Sequence, residues 1–519
     1  MSSHSVSTGA HNKARKTAFI RQMNTLKTKI AWSLLLVMAA LTACTDDDSF
    51  TTDSSARLTF SADTIRMDTV FSTVPSAVQS FWAYNHSGDG LRCTSVRLEN
   101  GNQVGFRVNV DGIYLSQTSG YQTSDIEVRR GDSIRVFVEL TSPLSYTDGP
   151  KQIEDNLIFT LESGVQQRVN LSAFSWDADF LRSATFHADT TLSAAKPIVV
   201  YGGLTVAEGA TLTLPAGTTL YFHSDAGLNV YGTLVCQGTA DEPVVLRGDR
   251  LDHMFDYLPY DCVSGQWQGL HLYSTSYDNA LDHTDLHGAF NGLVADSSDV
   301  SRLKLDLTNS TIHNCQGAGL KSTYSTLRIH NCQISNTLEA CVDISGGIID
   351  MNNCTLAQFY PFDSNRGAAL NFTSVDYPVW SLVCANTLIT GYADDEFFCQ
   401  RAEGYEQYMN FDFSNCIIRT PQIETADSAY FHNVTFEDAT DTTQVGKRHF
   451  ALVDEDKLRY DFRLDSLSTA IDQADPQTAT TTDHDGLLRD DRPDIGAYEW
   501  QKPVSTEPKQ KPTRWKNFN

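Results

Sequence analysis

One element recurs through the middle of the chain and limits what it can fold into: apolar-x-apolar-x-Asn-small-x-apolar. Leu305-Asp-Leu307-Thr-Asn309-Ser310-Thr-Ile312 fits it, and so does Leu327-Arg-Ile329-His-Asn331-Cys332-Gln-Ile334. Ile349 to Leu356, Leu382 to Ile389 and Phe411 to Ile418 continue the pattern around Asn353, Asn386 and Asn415, and Asn433-Val-Thr-Phe436 is a worn last copy. The Asn positions step by 22, 22, 33, 29 and 18 residues. Strict alternation is a strand signature. A period near 22 is too short for a propeller blade and leaves no room for a helix, so it fits one coil of a parallel β-helix, with loops inserted in the longer steps.

Coils stacked about 4.8 Å apart place equivalent residues in ladders. Asn309, Asn331, Asn353, Asn386 and Asn415 are therefore expected to form a structural ladder at a corner between strands. Asn tolerates a left-handed backbone there and can hydrogen-bond the coils above and below. The small residue that follows (Ser310, Cys332, Cys354, Thr387 or Cys416) suits a crowded position, and Leu327 and Ile329 point into the core. Residues 196 to 246 read as earlier coils without the Asn, with Leu212 to Leu220 and Leu228 to Leu234 as successive edges and Trp267 to Leu272 beginning the next.

Upstream, residues 57 to 179 alternate as short strands, for example Ile134-Arg-Val136-Phe-Val138-Glu-Leu140. About seven such strands suggest an immunoglobulin-like sandwich, although the Cys-Trp-Cys signature is missing. The fold expected is all-β: a right-handed parallel β-helix solenoid over 181–453, preceded by a small immunoglobulin-like β-sandwich over 56–180. Residues 45–55 read as a linker, 454–500 as a segment closing the solenoid, and 501–519 as a Lys- and Pro-rich disordered tail.

The N-terminal region gives an address. Lys27 and Lys29 precede an uncharged run, Ile30 to Ala43, which is short for a membrane span but suits a signal-peptide core. It ends in Leu41-Thr42-Ala43-Cys44, which resembles a bacterial lipobox, so Cys44 is the expected lipidation site and 1–44 the signal. Met23 is the expected true start. Cleavage before Cys44 removes Lys13, Arg15, Lys16, Arg21, Lys27 and Lys29 and no acidic residue. The 39 basic residues then become 33 against 64 acidic ones, a formal charge of −31. Such a body repels nucleic acid, and no nucleic-acid partner is expected. A lipid would hold it at a membrane that its charge keeps at a distance.

The acidic run Asp46-Asp47-Asp48 after the lipobox resembles the surface-export signal of Bacteroidota lipoproteins. Together with the repeat, the chain resembles Bacteroidota surface lipoproteins that carry an N-terminal sandwich and a right-handed parallel β-helix, within the wider pectate-lyase-like superfamily. The resemblance covers nearly all of the mature chain. It implies an outer-membrane lipoprotein exposed at the cell surface. It does not name an activity, because that fold hosts lyases, hydrolases, esterases, adhesins and inert stalks.

Residues 247 to 267 hold the most unusual local composition. Asp252, Phe255, Asp256, Tyr257, Tyr260, Asp261 and Trp267 combine flat rings with hydrogen-bonding carboxylates, as a sugar face requires. The other reading is a loop whose aromatics are core. His271, His283 and His287 lie nearby with Asp282 and Asp285. His283 and Asp285 share strand parity and could act as a base pair, or could be solvated. Asp483, Asp485, Asp494 and Glu499 could hold Ca²⁺, or form a turn tied by Arg489. Cys332 and Cys354 share a rung, but stacked side chains point in parallel, so free buried thiols are expected rather than a disulfide.

No cysteine spacing suggests a metal, no metal or cofactor is expected, and no residue is assigned as catalytic. The Asn-Thr-Asp, Gly-His-Gly and Arg-Ile-Lys motifs of pectin hydrolases are absent, as is the Pro-x-x-Arg of pectate lyases. The reading is a non-catalytic surface protein that binds a neutral glycan or another surface partner. A polysaccharide lyase or hydrolase and a structural spacer are the alternatives.

Overall fold

A computed structural model describes residues 49–192, 196–255, 257–404, 406–437 and 446–501. Cys44, Asp256 and the tail beyond 501 lie outside the described residues. Among those described there is no α-helix, only strands and short 3-10 turns.

The chain divides into two compact units. The first contains residues 49–65, Val78–Glu139 and Asp155–Leu171. One of its sheets runs, in spatial order, Leu58–Phe60, Gln79–Asn85, Ser133–Leu140, Phe106–Val110 and Ile113–Tyr114. The other is built on Leu91–Leu98, which pairs antiparallel with Lys151–Leu161, Gln122–Thr123 and Ile126–Val128. Alternate residues are buried along the longer strands, as the sequence alternation requires; Ile134, Val136, Val138 and Leu140 are all inside. Phe60 and Phe81 from one sheet meet Phe159 from the other, with ring centroids 5.0 and 6.4 Å from it.

The second unit is a parallel β-helix within a sheet of 26 strands. Each coil contributes to three parallel ladders. In the first, Leu228, Leu270, Leu293, Leu320, Val342, Leu370 and Phe397 stand in register. Leu281, Leu307, Ile329, Met351, Cys384 and Phe413 form the second. Leu220, Leu246, Leu286, Ile312, Ile334, Leu356, Ile389 and Ile418 form the third. These rungs fill one continuous core, and each buried aliphatic side chain contributes roughly 1.5–3 kcal/mol.

The repeated Asn residues turn the chain from the second ladder into the third. Asn309, Asn331, Asn353, Asn386 and Asn415 have φ of 48°, 53°, 48°, 49° and 51°, the left-handed region that Asn enters at low cost. Asn331, Asn353 and Asn386 are buried, and the other two are half-buried. The small residue after each Asn is fully buried. The thiols of Cys332, Cys354 and Cys416 donate to carbonyls of the preceding coil, on Leu307, Ile329 and Cys384. All ten described cysteines are free, and burial pushes thiols such as those of Cys236 and Cys315 up to about 12.

The ladder is only partly an inter-coil ladder. Asn309 Nδ2 donates to Asp282 and Asn331 Nδ2 to Asn309, at 2.8 and 3.1 Å. Higher rungs are completed by residues 475–497, the segment expected at the end of the solenoid. That segment instead runs back along the Asn corners. Asp475 N donates to Asn386 Oδ1, Thr480 N to Asn353 Oδ1, and Asn331 Nδ2 to Thr482 O. One coil further back, His484 Nε2 meets Thr311 Oγ1 at 2.9 Å. It is a lateral strap rather than an end cap. The reason is chemical: a column of buried amides needs partners that stacking alone does not supply.

Candidate functional site

The loop between the strands Val244–Gly248 and Leu270–Leu272 contains the aromatic-acidic segment. Phe255 and Tyr257 are exposed, at 56% and 68%, and stack on each other with centroids 5.7 Å apart. Of the other described residues expected here, Asp252, Tyr260, Asp261 and Trp267 are engaged within the protein. Arg250 holds Asp252 through two hydrogen bonds of 2.7 and 2.6 Å and lies over the Tyr260 ring at 4.0 Å. Arg247 pairs with Asp261. Trp267 is not a platform residue: it is fully buried, stacks on Phe222 at 4.3 Å and donates its indole N–H to His287 O at 2.9 Å. Its position just before a ladder strand points the indole into the coil, where it is the largest fully buried side chain among the described residues.

A larger aromatic surface was not foreseen. It lies at the bend that carries each coil from the first ladder to the second. Tyr231 and Tyr273, which follow the strands Leu228–Val230 and Leu270–Leu272, stack at 4.1 Å, and His271 stacks on Tyr273 at 4.0 Å. Further along the same edge, Tyr324 stacks on Tyr377 at 5.2 Å and accepts a hydrogen bond from Trp380 Nε1 at 3.2 Å, while Trp380 meets Tyr408 at 5.8 Å. Tyr231, Tyr377, Trp380 and Tyr408 are each 37–42% exposed. Polar pairs lie on or directly after the first-ladder strands that lead into these bends. His271 Nε2 lies 2.9 Å from Asp296, and Asn371 donates to Asp343 at 2.7 Å. Buried Lys304 shapes the lower bend by donating to the carbonyls of Tyr273 and Ser276, and burial draws its pKa down to about 8. No sequence period marks these rings, because they sit in bends of unequal length.

A third constellation lies on the outer face of the third ladder. Asp285 and His287 alternate on Thr284–His287, and His313 stands in register with His287 one coil on. His287 Nδ1 and His313 Nε2 lie 2.8 and 3.2 Å from Asp285 Oδ1, and the two imidazoles stack at 4.8 Å. Burial raises the Asp285 carboxyl, but the charges and hydrogen bonds of His287 and His313 lower it by more, leaving it well below the usual carboxylate range. Asp261 approaches the other face of His287, 3.9 Å from Nε2. The expected His283–Asp285 pair is not formed. His283 occupies a corner at φ 43°, which breaks strand parity, and its Nδ1 lies 2.9 Å from Asp282 instead. The usable signal was Asp-x-His followed one coil later by another His.

Two other groupings are struts. Ser468, His449 and Glu437 form a hydrogen-bonded series of 2.9 and 2.5 Å, but all three are buried. In the strap, Asp483 accepts from the amides of Asp485, Leu487 and Glu499, and Asp494 from those of Asp472 and Trp500. Arg489 pairs with Glu499 at 3.1 Å, both nearly sealed from solvent, which is the tied turn rather than an ion-binding loop.

No family model matches the sequence, and no curated protein matches it. Among solved structures, the Vibrio cholerae VesB protease is 16% identical over 24% of this chain and 33% of its own, with a TM-score of 0.16. A family 123 glycoside hydrolase from Clostridium perfringens is 10% identical over 24% of this chain and 26% of its own, with a TM-score of 0.15. The chain thus matches about a third and about a quarter of their lengths. The catalytic unit of a GH87 alpha-1,3-glucanase from Streptomyces thermodiastaticus is 11% identical over 68% of this chain and 88% of its own, with a TM-score of 0.18. Scores this low carry no argument.

Proposed function

We propose that this protein is a cell-surface lipoprotein whose β-helix binds a neutral glycan along its aromatic edge without turning it over. The observation that carries the reading is the pair of ring clusters along this edge, Tyr231 with Tyr273 and Tyr324 with Tyr377, Trp380 and Tyr408, of which Tyr231, Tyr377, Trp380 and Tyr408 are exposed. From the Tyr231 coil to the Tyr377 coil there are five ladder steps, about 24 Å at 4.8 Å per step, so the rings suit an extended chain better than a single sugar. Ring faces cover the apolar sides of a sugar, and Asp296, Asp343 and Asn371 supply hydrogen-bond partners at the strands leading into the bends. A net charge of −25 disfavours uronates and other polyanions. Phe255 and Tyr257 provide a second exposed ring pair for the same class of ligand.

Anchoring rests on the lipobox-like run ending at Cys44, with the N-terminal sandwich, read as immunoglobulin-like, following the acidic linker. Labelling with a palmitate analogue is expected to mark the wild type and miss Cys44→Ala; retained label in the variant would contradict the anchor.

Glycan binding is tested by electrophoresis through gels containing a soluble neutral glucan. Wild-type protein should be retarded. Trp380→Ala combined with Tyr377→Ala should bind about tenfold more weakly, the equivalent of ~1.4 kcal/mol for losing ring-face contacts. Both side chains lie on the surface, so the melting temperature should hold. Equal retardation of variant and wild type would reject the edge as the binding surface.

A further inference from the structure

We infer that Asp285, His287 and His313 form a binding site for a Zn²⁺ ion. Their ligand atoms lie within 4.8 Å of one another, and each residue offers one. Two imidazoles and one carboxylate are a borderline-soft set that suits Zn²⁺ and is poorly matched to Ca²⁺ or Mg²⁺, which prefer oxygen. Three protein ligands also match the count found where zinc keeps one position open.

The scaffold favours a fixed site. Asp285 and His287 are two residues apart on one strand, so their side chains leave the same face of the ladder. His313 comes from the strand Thr311–Cys315, paired in register one coil along. His287 is nine-tenths buried on its side-chain atoms, and its main-chain carbonyl is held by the Trp267 indole. With Nδ1 toward Asp285, its Nε2 faces the Asp261 carboxylate. Zinc-bound histidines usually donate their second ring N–H to a carboxylate, a carbonyl or water, and Asp261, 3.9 Å away, is the group placed nearest to that role. Asp261 is itself held by Arg247, and Asn314 Nδ2 donates to Asp261 O at 3.1 Å. Loop and ladder thus converge on one point, and the site is separate from the aromatic edge.

The test is a titration of the mature full-length chain, stripped with EDTA and supplied with Zn²⁺ in competition with a chromophoric chelator. One equivalent should be held, and Zn²⁺ should raise the melting temperature through binding to the folded state. His313→Ala, which removes a half-buried side chain on the neighbouring coil, should weaken binding roughly 100-fold and abolish the thermal shift while melting close to wild type in EDTA. Asp261→Asn should weaken binding about tenfold. Excess Ca²⁺ should not displace the ion. Absence of a one-equivalent site in the wild type, or unchanged affinity in His313→Ala, would overturn the assignment.

Discussion

Arg489→Met is expected to release the C-terminal strap and destabilise the β-helix by about 3–5 kcal/mol, the usual penalty for removing one partner from a buried ion pair. Arg489 is the hub of that segment. Its guanidinium meets Glu499 and donates to the carbonyls of Asp494, Gly496 and Ala497 and to the side chains of Asn331 and Thr480. Methionine preserves much of the volume but leaves Glu499 charged and partnered only by the amides of Asp490 and Asp494. Three consecutive Asn corners would then lose satisfied contacts, because the strap completes Asn386, Asn353 and Asn331 and touches Thr311 beyond. Denaturant unfolding measures the loss. Hydrogen exchange should localise it, with protection falling first at 475–497 and at the amides of Asn331 to Asn386. A strap that stayed protected in the variant would show that Arg489 is not its anchor.

Trp267→Ala should cost about 3–5 kcal/mol by emptying the core where the indole stacks on Phe222. The variant also loses the hydrogen bond to His287 O, so Zn²⁺ binding should weaken as His287 is freed to shift. Glycan binding measured on the fraction that remains folded should be unchanged, since the indole has no exposed surface. Chemical denaturation together with glucan-gel mobility separates the two effects. A variant of wild-type stability that no longer bound glucan would restore the sequence expectation that Trp267 is a contact residue.

The architecture was legible because it is repetitive. A ladder residue such as Ile329 must match Leu307 below and Met351 above, so alternation and period survive in the sequence. The left-handed Asn corners were legible for the same reason. The strap's lateral course was not. Nothing local to Thr480 or Arg489 says that their partners are Asn353 and Asn331, more than 100 residues earlier. The aromatic edge was obscured because Tyr324, Tyr377 and Tyr408 lie in bends of differing length and share no register. The 247–267 loop drew attention by composition alone. Composition does not separate Tyr257, facing solvent, from Trp267, in the core. The His–Asp cluster was hidden by one corner: His283 at positive φ interrupts alternation, so counting parity through it paired the wrong residues.

The central claim is that rings stacked along the coils bind an extended neutral glycan. Calorimetric titration of the intact mature chain with neutral gluco-oligosaccharides of increasing length tests it most directly. Affinity is predicted to rise with each added sugar until the chain spans the rings from Tyr231 to Tyr377 and then level off, with no oligosaccharide shortened during the titration. Affinity independent of length, no binding at any length, or cleavage of the added chains would contradict it.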